Sequence, residues 1–217
     1  MKRVAVILSG CGVFDGAEIH ESVLTLLHLD KANVHYQCFA PDMPQQHVIN
    51  HVTGEVVEGE TRHVLVEAAR IARGEIKSLS ELREDDFDAL IFPGGFGAAK
   101  NLCSFAFDGQ TMQIQPDVLA VCQRFAKATK PIGLICIAPV MAAKIFGESV
   151  KCTIGHDQAT ADAINTMGAQ HVSCKVNDIV IDEQHKLVTT PAYMLAQRIG
   201  EASAGIEKLV SAVLERC

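Results

Sequence analysis

Tryptophan is absent from this chain and aromatic residues make up only 5% of it, so aliphatic side chains must fill its core. Buried parallel strands are built from such residues. Also missing is any apolar run near the roughly 20 residues that a bilayer span requires, so no membrane partner is expected. Lys and Arg do not cluster, and the formal charge is −7, which argues against a general phosphate-binding surface and against nucleic acid as a partner. Eight cysteines are present, yet no two stand in a C-x-x-C pair. A zinc ribbon or a dithiol redox motif is therefore unsupported, no metal site is expected, and most of these thiols should behave as small buried hydrophobes. Disordered chains are excluded as well: 48% of residues are apolar against 21% charged. Met1-Lys2-Arg3 runs straight into Val4–Leu8 and then Ser9-Gly10-Cys11-Gly12. That reads as a first strand and not as a signal peptide, and the expectation is a cytoplasmic protein.

What is present is an alternation of short apolar runs with helical patterns. Val4–Leu8, Val34–Phe39, Ala89–Phe92, Ile132–Cys136 and Leu187–Thr190 read as strands. Further strand candidates lie at Val150–Ile154, His171–Val176 and Asp178–Ile181. Helical spacing of apolar residues covers about 17–29, 61–73, 116–129, 138–146, 159–167 and 194–214. Pro41–Glu58 is polar and aperiodic, and reads as a loop or small hairpin over the surface. Strand–helix alternation without repeats or linker-like composition predicts one α/β domain over 1–217: a three-layer sandwich with a mostly parallel central sheet. In such sheets ligands sit beyond the carboxyl ends of strands, so the residues after Leu8, Phe92, Ile135 and Ile154 are the ones to inspect.

Cys136 follows the strand Ile132–Ile135 at a strand-to-helix turn. A nucleophile there stands above the sheet, and the start of the adjoining helix would favour its thiolate. The Ile137 amide would then face an oxyanion, and Gly95 of the Pro93-Gly94-Gly95 loop would supply a second amide from the neighbouring strand end. On composition alone, a cysteine between Ile135 and Ile137 is more often a buried structural residue. The strand-end position and the Gly-Gly loop favour chemistry.

Three segments, in order, carry a family resemblance: Ser9-Gly10-Cys11-Gly12 through Glu21, Phe92-Pro93-Gly94-Gly95-Phe96-Gly97 through Leu102, and the turn around Cys136. Together they resemble the PfpI/ThiJ superfamily, relatives of the class I glutamine amidotransferases, over essentially the whole chain. Within it the similarity is to the branch described as isoprenoid-biosynthesis-associated glyoxalases. The resemblance implies a flavodoxin-like fold with a nucleophile elbow, a homodimer, and Cys136 as the nucleophile. It also implies a glutamate at the start of the first helix that hydrogen-bonds the thiol. Glu18 and Glu21 both match and lie on one helical face; spacing favours Glu21, leaving Glu18 as a second carboxylate. Many relatives carry histidine directly after the cysteine, where this chain has Ile137, which leaves His156 as the candidate histidine.

The implied activity is a cofactor-independent glyoxalase acting on a small aldehyde or dicarbonyl and giving glycolate from glyoxal, with deglycase-like chemistry alongside. Nucleophile, carboxyl and oxyanion site suffice for every step. The alternative is a regulatory module in isoprenoid metabolism whose thiol senses oxidants, a role that the absence of histidine after Cys136 favours.

Overall fold

Along the first strand, β1 (Arg3–Ile7), successive side chains enter two different cores: Ala5 and Ile7 one, Val4 and Val6 the other. Such a strand is apolar throughout because both of its faces are covered. The computed structural model describes residues 2–217. From β1 the chain runs through α1 (Ile19–Lys31), β2 (His35–Ala40), α2 (Val64–Ile71) and β3 (Ile76–Ser78). Next come β4 (Ala89–Phe92), α3 (Phe105–Asp108), α4 (Pro116–Lys127), β5 (Ile132–Ile135) and α5 (Ala142–Phe146). The last part holds β6 (Lys151–Cys152), α6 (Gln158–Thr166), β7 (Gln170–His171), β8 (Val180–Asp182), β9 (Leu187–Thr190) and α7 (Ile199–Glu215).

Seven strands form one sheet in the order β3-β2-β1-β4-β5-β9-β8, parallel except for β8, which pairs antiparallel with β9. Val4, Val6, Leu24, Ile206 and Leu209 share one core, which places α1 and α7 on that face. Val118, Val121, Cys122 and Phe125 of α4 pack on Ile7, Leu90 and Leu134 in the other. The three-layer, mostly parallel α/β sandwich read from the sequence is the observed architecture. The chain leaves β1 to either side, toward β2 and toward β4, so a crevice opens at the carboxyl ends of β1 and β4.

Several expectations need correction. The strand predicted at Val150–Ile154 shrinks to β6, which leaves the main sheet and pairs with β7 in a separate two-stranded ribbon. Only Gln170–His171 of the next region is strand, so the candidate His171–Val176 is mostly loop. The helix predicted from Met194 starts at Ile199, because Ala192–Met194 is a tight 3-10 turn and Arg198 is still extended. The edge strand β3 escapes detection since three residues carry no period. After Cys136 the predicted helix is a 3-10 turn, Ala138–Met141, leading into the five-residue α5.

The geometry of the two loops beyond β1 and β4 comes from direct backbone packing. A Cβ at Gly97 would lie 2.5 Å from the Gly16 backbone, so the two loops can touch only because residue 97 is glycine, while Gly16 lets its own loop fold back on Cys11. Asn101 ties them together: its Nδ2 donates to the carbonyls of Ser9 and Asp15, both at 2.9 Å, and its Oδ1 accepts from the Gln46 amide. Asn101 sits in a π-helical turn, Ala98–Leu102, that the sequence pattern does not announce.

Gly133 marks where α7 leans hardest on the sheet. A Cβ there would stand 2.9 Å from Leu209 Cδ2 and 3.2 Å from Val213 Cγ2. Gly133→Val is expected to lower stability by about 1–3 kcal/mol through overpacking. Urea melts should show a lower midpoint at unchanged slope; an unchanged midpoint would mean that α7 is not seated as described.

Candidate active site

Cys136 is held at the end of β5 in a left-handed backbone conformation, φ +62°, which costs about 1–3 kcal/mol for a residue with a side chain. Its amide donates to the Thr190 carbonyl at 2.9 Å, which fixes the turn against the end of β9. Next to it, a Cβ on Gly94 would fall 2.4 Å from Cys136 Cβ and 2.7 Å from Glu21 Oε2, so glycine is what lets the carboxylate and the thiol meet under this loop. Gly95 has φ +91°, and a Cβ on it would strike the Glu18 amide nitrogen at 2.4 Å. The loop that presents its N–H is therefore rigid.

The two glutamates of α1 have separate tasks. Glu18 is the N-cap: its Oε2 accepts the Glu21 amide at 2.7 Å, satisfying a free donor of the first turn. Glu21 is fully buried. Its Oε2 accepts the Gly94 amide at 2.8 Å and its Oε1 the Tyr193 amide at 3.1 Å, and the Cys136 side chain stands beside the carboxyl under Gly94. Of the two carboxylates proposed from spacing, Glu21 is thus the one brought against the sulfur. Glu18 reaches the rim of the same cavity.

Burial dominates the electrostatics. It pushes the Glu21 carboxyl up to about 7; the Glu18 charge pushes the same way, and the Tyr193 and Gly94 amides oppose it. The Cys136 thiol is raised well above its ordinary value, first by burial and then by the Glu21 charge, while the amides of Gly95 and Ile137 favour the thiolate. The expected thiolate-favouring helix start is not what governs this cysteine. The element after it is too short to supply much dipole, and removal from water outweighs it. Each of the two groups thus holds its proton to a higher pH than it would in water. Gly95 and Ile137, the two proposed oxyanion donors, line one cavity together with Cys136.

A cavity of about 390 Å³ opens onto Cys136. Val13, Phe96, Phe105, Ile137 and Met194 give it apolar walls, and Glu18, Asp157, Thr160 and Tyr193 supply polar groups. His156 is not brought into it. That residue is exposed and lines a separate, wider groove with Cys174, Lys175 and Arg198. The groove has the larger volume, about 990 Å³, but no nucleophile paired with a buried carboxyl faces it. The segment after β6 does reach the Cys136 cavity, but through Asp157 and Thr160, while His156 lines the other groove. Tyr193 is the site residue that sequence reasoning passes over. It follows β9 in Thr190-Pro191-Ala192-Tyr193, so the strand-end rule applied to Thr190 would have found it.

No family model matches the chain. A human protein named glutamine amidotransferase-like class 1 domain-containing protein 3, mitochondrial, is 49% identical over 98% of this chain and 82% of its own length. A rat ES1 protein homolog, mitochondrial, is 48% identical over 98% of the chain and 83% of its length. The chain belongs to the glutamine amidotransferase-like class 1 family. Among solved structures, an isoprenoid biosynthesis protein with an amidotransferase-like domain from Ehrlichia chaffeensis superposes with a TM-score of 0.93. It is 39% identical, and the match covers 100% of this chain and 99% of that one. Drosophila melanogaster DJ-1beta, 19% identical with a TM-score of 0.57, shares the fold.

The family membership overturns one expectation. Relatives from human, rat and zebrafish are all named mitochondrial, which contradicts the cytoplasmic reading. An apolar strand close behind Met1 reports on folding and carries no information about compartment, so that reading is withdrawn.

The raised Glu21 carboxyl makes stability depend on pH. A group whose pKa rises from 4.5 to about 7 on folding contributes stability that is fully present below 4.5 and lost as pH climbs through about 7. Relative to Glu21→Gln, wild type should lose about 3 kcal/mol at most between pH 4.5 and 8. Parallel urea melts of both proteins across that range check this, and a pH-independent difference would contradict it.

Proposed function

We propose that this protein is a cofactor-independent glyoxalase that converts a small dicarbonyl to a hydroxy acid, with Cys136 as nucleophile and Glu21 as the proton-moving carboxyl. The observation that carries this reading is the fully buried Glu21 carboxyl, held by the Gly94 and Tyr193 amides beside Cys136 at the end of a cavity, where burial pushes it up to about 7. An acid–base group working near neutral pH needs a pKa of this kind. Glu18 in this reading shapes the field and caps α1, and His156 takes no part.

The chemistry follows from these groups. The Cys136 sulfur adds to an aldehyde carbon, its proton passes to Glu21 and from Glu21 to the carbonyl oxygen, which becomes the hydroxyl of a hemithioacetal and leaves Glu21 ionised. The Gly95 and Ile137 amides stabilise the oxyanion on the way. Glu21 then takes the hydrogen from that carbon and returns it to the neighbouring one through an enediol, leaving a thioester. Water cleaves the thioester, releasing the hydroxy acid and restoring the thiol. A raised thiol pKa suits this sequence, since the sulfur is activated only as Glu21 accepts its proton. The redox-sensing alternative calls for an accessible, low-pKa thiolate, and Cys136 is 7% exposed with a raised pKa.

Purified protein is expected to turn glyoxal into glycolate without added thiol or metal, as followed by proton NMR. Cys136→Ala should abolish turnover, and Glu21→Gln should lower kcat by roughly 10²- to 10⁴-fold. Glu18→Gln should cost about 1 kcal/mol of stability through the weakened cap while keeping kcat within roughly tenfold. No turnover by wild type, or equal turnover by Cys136→Ala, would refute the reading.

A further inference from the structure

The site as described supplies donors for one substrate oxygen only. A dicarbonyl carries two, and the second gains negative charge when the enediol forms. Gly95 and Ile137 are committed beside the sulfur, and both Glu21 oxygens are occupied by the Gly94 and Tyr193 amides. Two further hydroxyl-bearing residues line the same cavity; Thr160 is engaged with Asp157, which leaves Tyr193.

Tyr193 lies in the 3-10 turn Ala192–Met194, entered through Ala192 at φ +42°. Its backbone amide holds Glu21, while its Oη sits 2.8 Å from His20 Nδ1 on the exposed side of α1. The two rings are tilted, with centroids 5.7 Å apart. One residue thus contributes its main chain to the general base and its side chain to the cavity wall. Burial raises its phenol, and the Glu18 and Glu21 charges raise it further, so both carboxylates stand near enough to act on it.

We propose, resting on the dicarbonyl reading above, that Tyr193 donates a proton to the second substrate oxygen, with His20 as the residue that positions its hydroxyl. With the proton of His20 on Nδ1, the imidazole donates to Tyr193 Oη, and the phenolic hydrogen is left free for the cavity. As Glu21 removes hydrogen from the thiol-bearing carbon, the electron pair of that C–H bond forms the carbon–carbon double bond. The second carbonyl opens and its oxygen takes the Tyr193 proton, which remains as the hydroxyl of the product. The hydroxyl of the first carbon loses its proton as the thioester forms. Solvent takes up that proton and returns one to the phenolate through the exposed His20, so protons balance over the cycle. His20 thereby occupies the acid–base role that the sequence leaves open after Cys136, although it reaches the site through a tyrosine.

Tyr193→Phe keeps the ring and the amide on Glu21 and removes only the hydroxyl. Its kcat for glyoxal should fall about 10²-fold, as for loss of one oxyanion donor, with KM changed less than about threefold. The rate of Cys136 alkylation by iodoacetamide should match wild type, since Glu21 is still held. His20→Ala should show a smaller fall in kcat, and His20→Asn, whose amide can reach the Nδ1 position, should recover part of it. Full activity in Tyr193→Phe beside an inactive Cys136→Ala would overturn this proposal and leave the glyoxalase reading standing. A fall in kcat matched by altered Cys136 alkylation would also overturn it, because the hydroxyl would then be acting on the fold of the site. Wild-type activity in both His20 variants would remove the positioning role. A wild type inert toward dicarbonyls would overturn both readings together.

Discussion

A carboxyl group removed from water has to be neutral or fully hydrogen-bonded, and Glu21 is close to both conditions. Two backbone amides from opposite sides of the site and the Cys136 thiol surround it. Meeting those partners constrains much of the rest. Gly94 must lack a side chain, β9 must end where the Tyr193 amide can turn inward, and α1 must begin at Glu18 so that Glu21 points beneath the loop. Cys136 must accept a left-handed backbone to bring its sulfur to the same point. The strain at Cys136 and the burial of Glu21 are costs that the two apolar cores offset.

The eight cysteines show how environment, not residue type, sets chemistry. Cys38, Cys122 and Cys152 are pushed up to about 12 by burial, and none of them has a carboxyl at hydrogen-bond range. Cys136 is raised as they are, yet it alone among the described residues is paired with a buried glutamate under two amides. A thiol of this kind is inert until its proton has somewhere to go. In the proposed mechanism Glu21, raised by burial to about 7, is that place.

Much of this arrangement was legible in the residues. Continuous apolar runs such as Ala89–Phe92 and Ile132–Ile135 announce strands buried on both faces, and Gly-Gly after one of them announces a close backbone approach. The nearness of Glu18 and Glu21 at the start of the first helix was visible, but they do not share a helical face: Glu18 is the extended N-cap and only Glu21 lies in the helix. Other features depend on long-range packing, to which local patterns are blind. His156 looked like a strand-end residue because Val150–Ile154 reads as a sheet strand, but that segment pairs with β7 outside the main sheet. The His20–Tyr193 contact joins residues 173 positions apart, and neither neighbourhood hints at the other. The compartment was misread because nothing in strand periodicity reports it.

The account turns on Glu21 being protonated in the folded protein at pH values where an ordinary glutamate is ionised. Difference infrared spectroscopy of wild type against Glu21→Gln at pH 6 tests this directly. A protonated-carboxyl C=O band that is present in wild type, absent from the variant and lost as pH rises through about 7 is the predicted result. A Glu21 signal already ionised at pH 6, titrating near 4.5 as in water, would contradict the account.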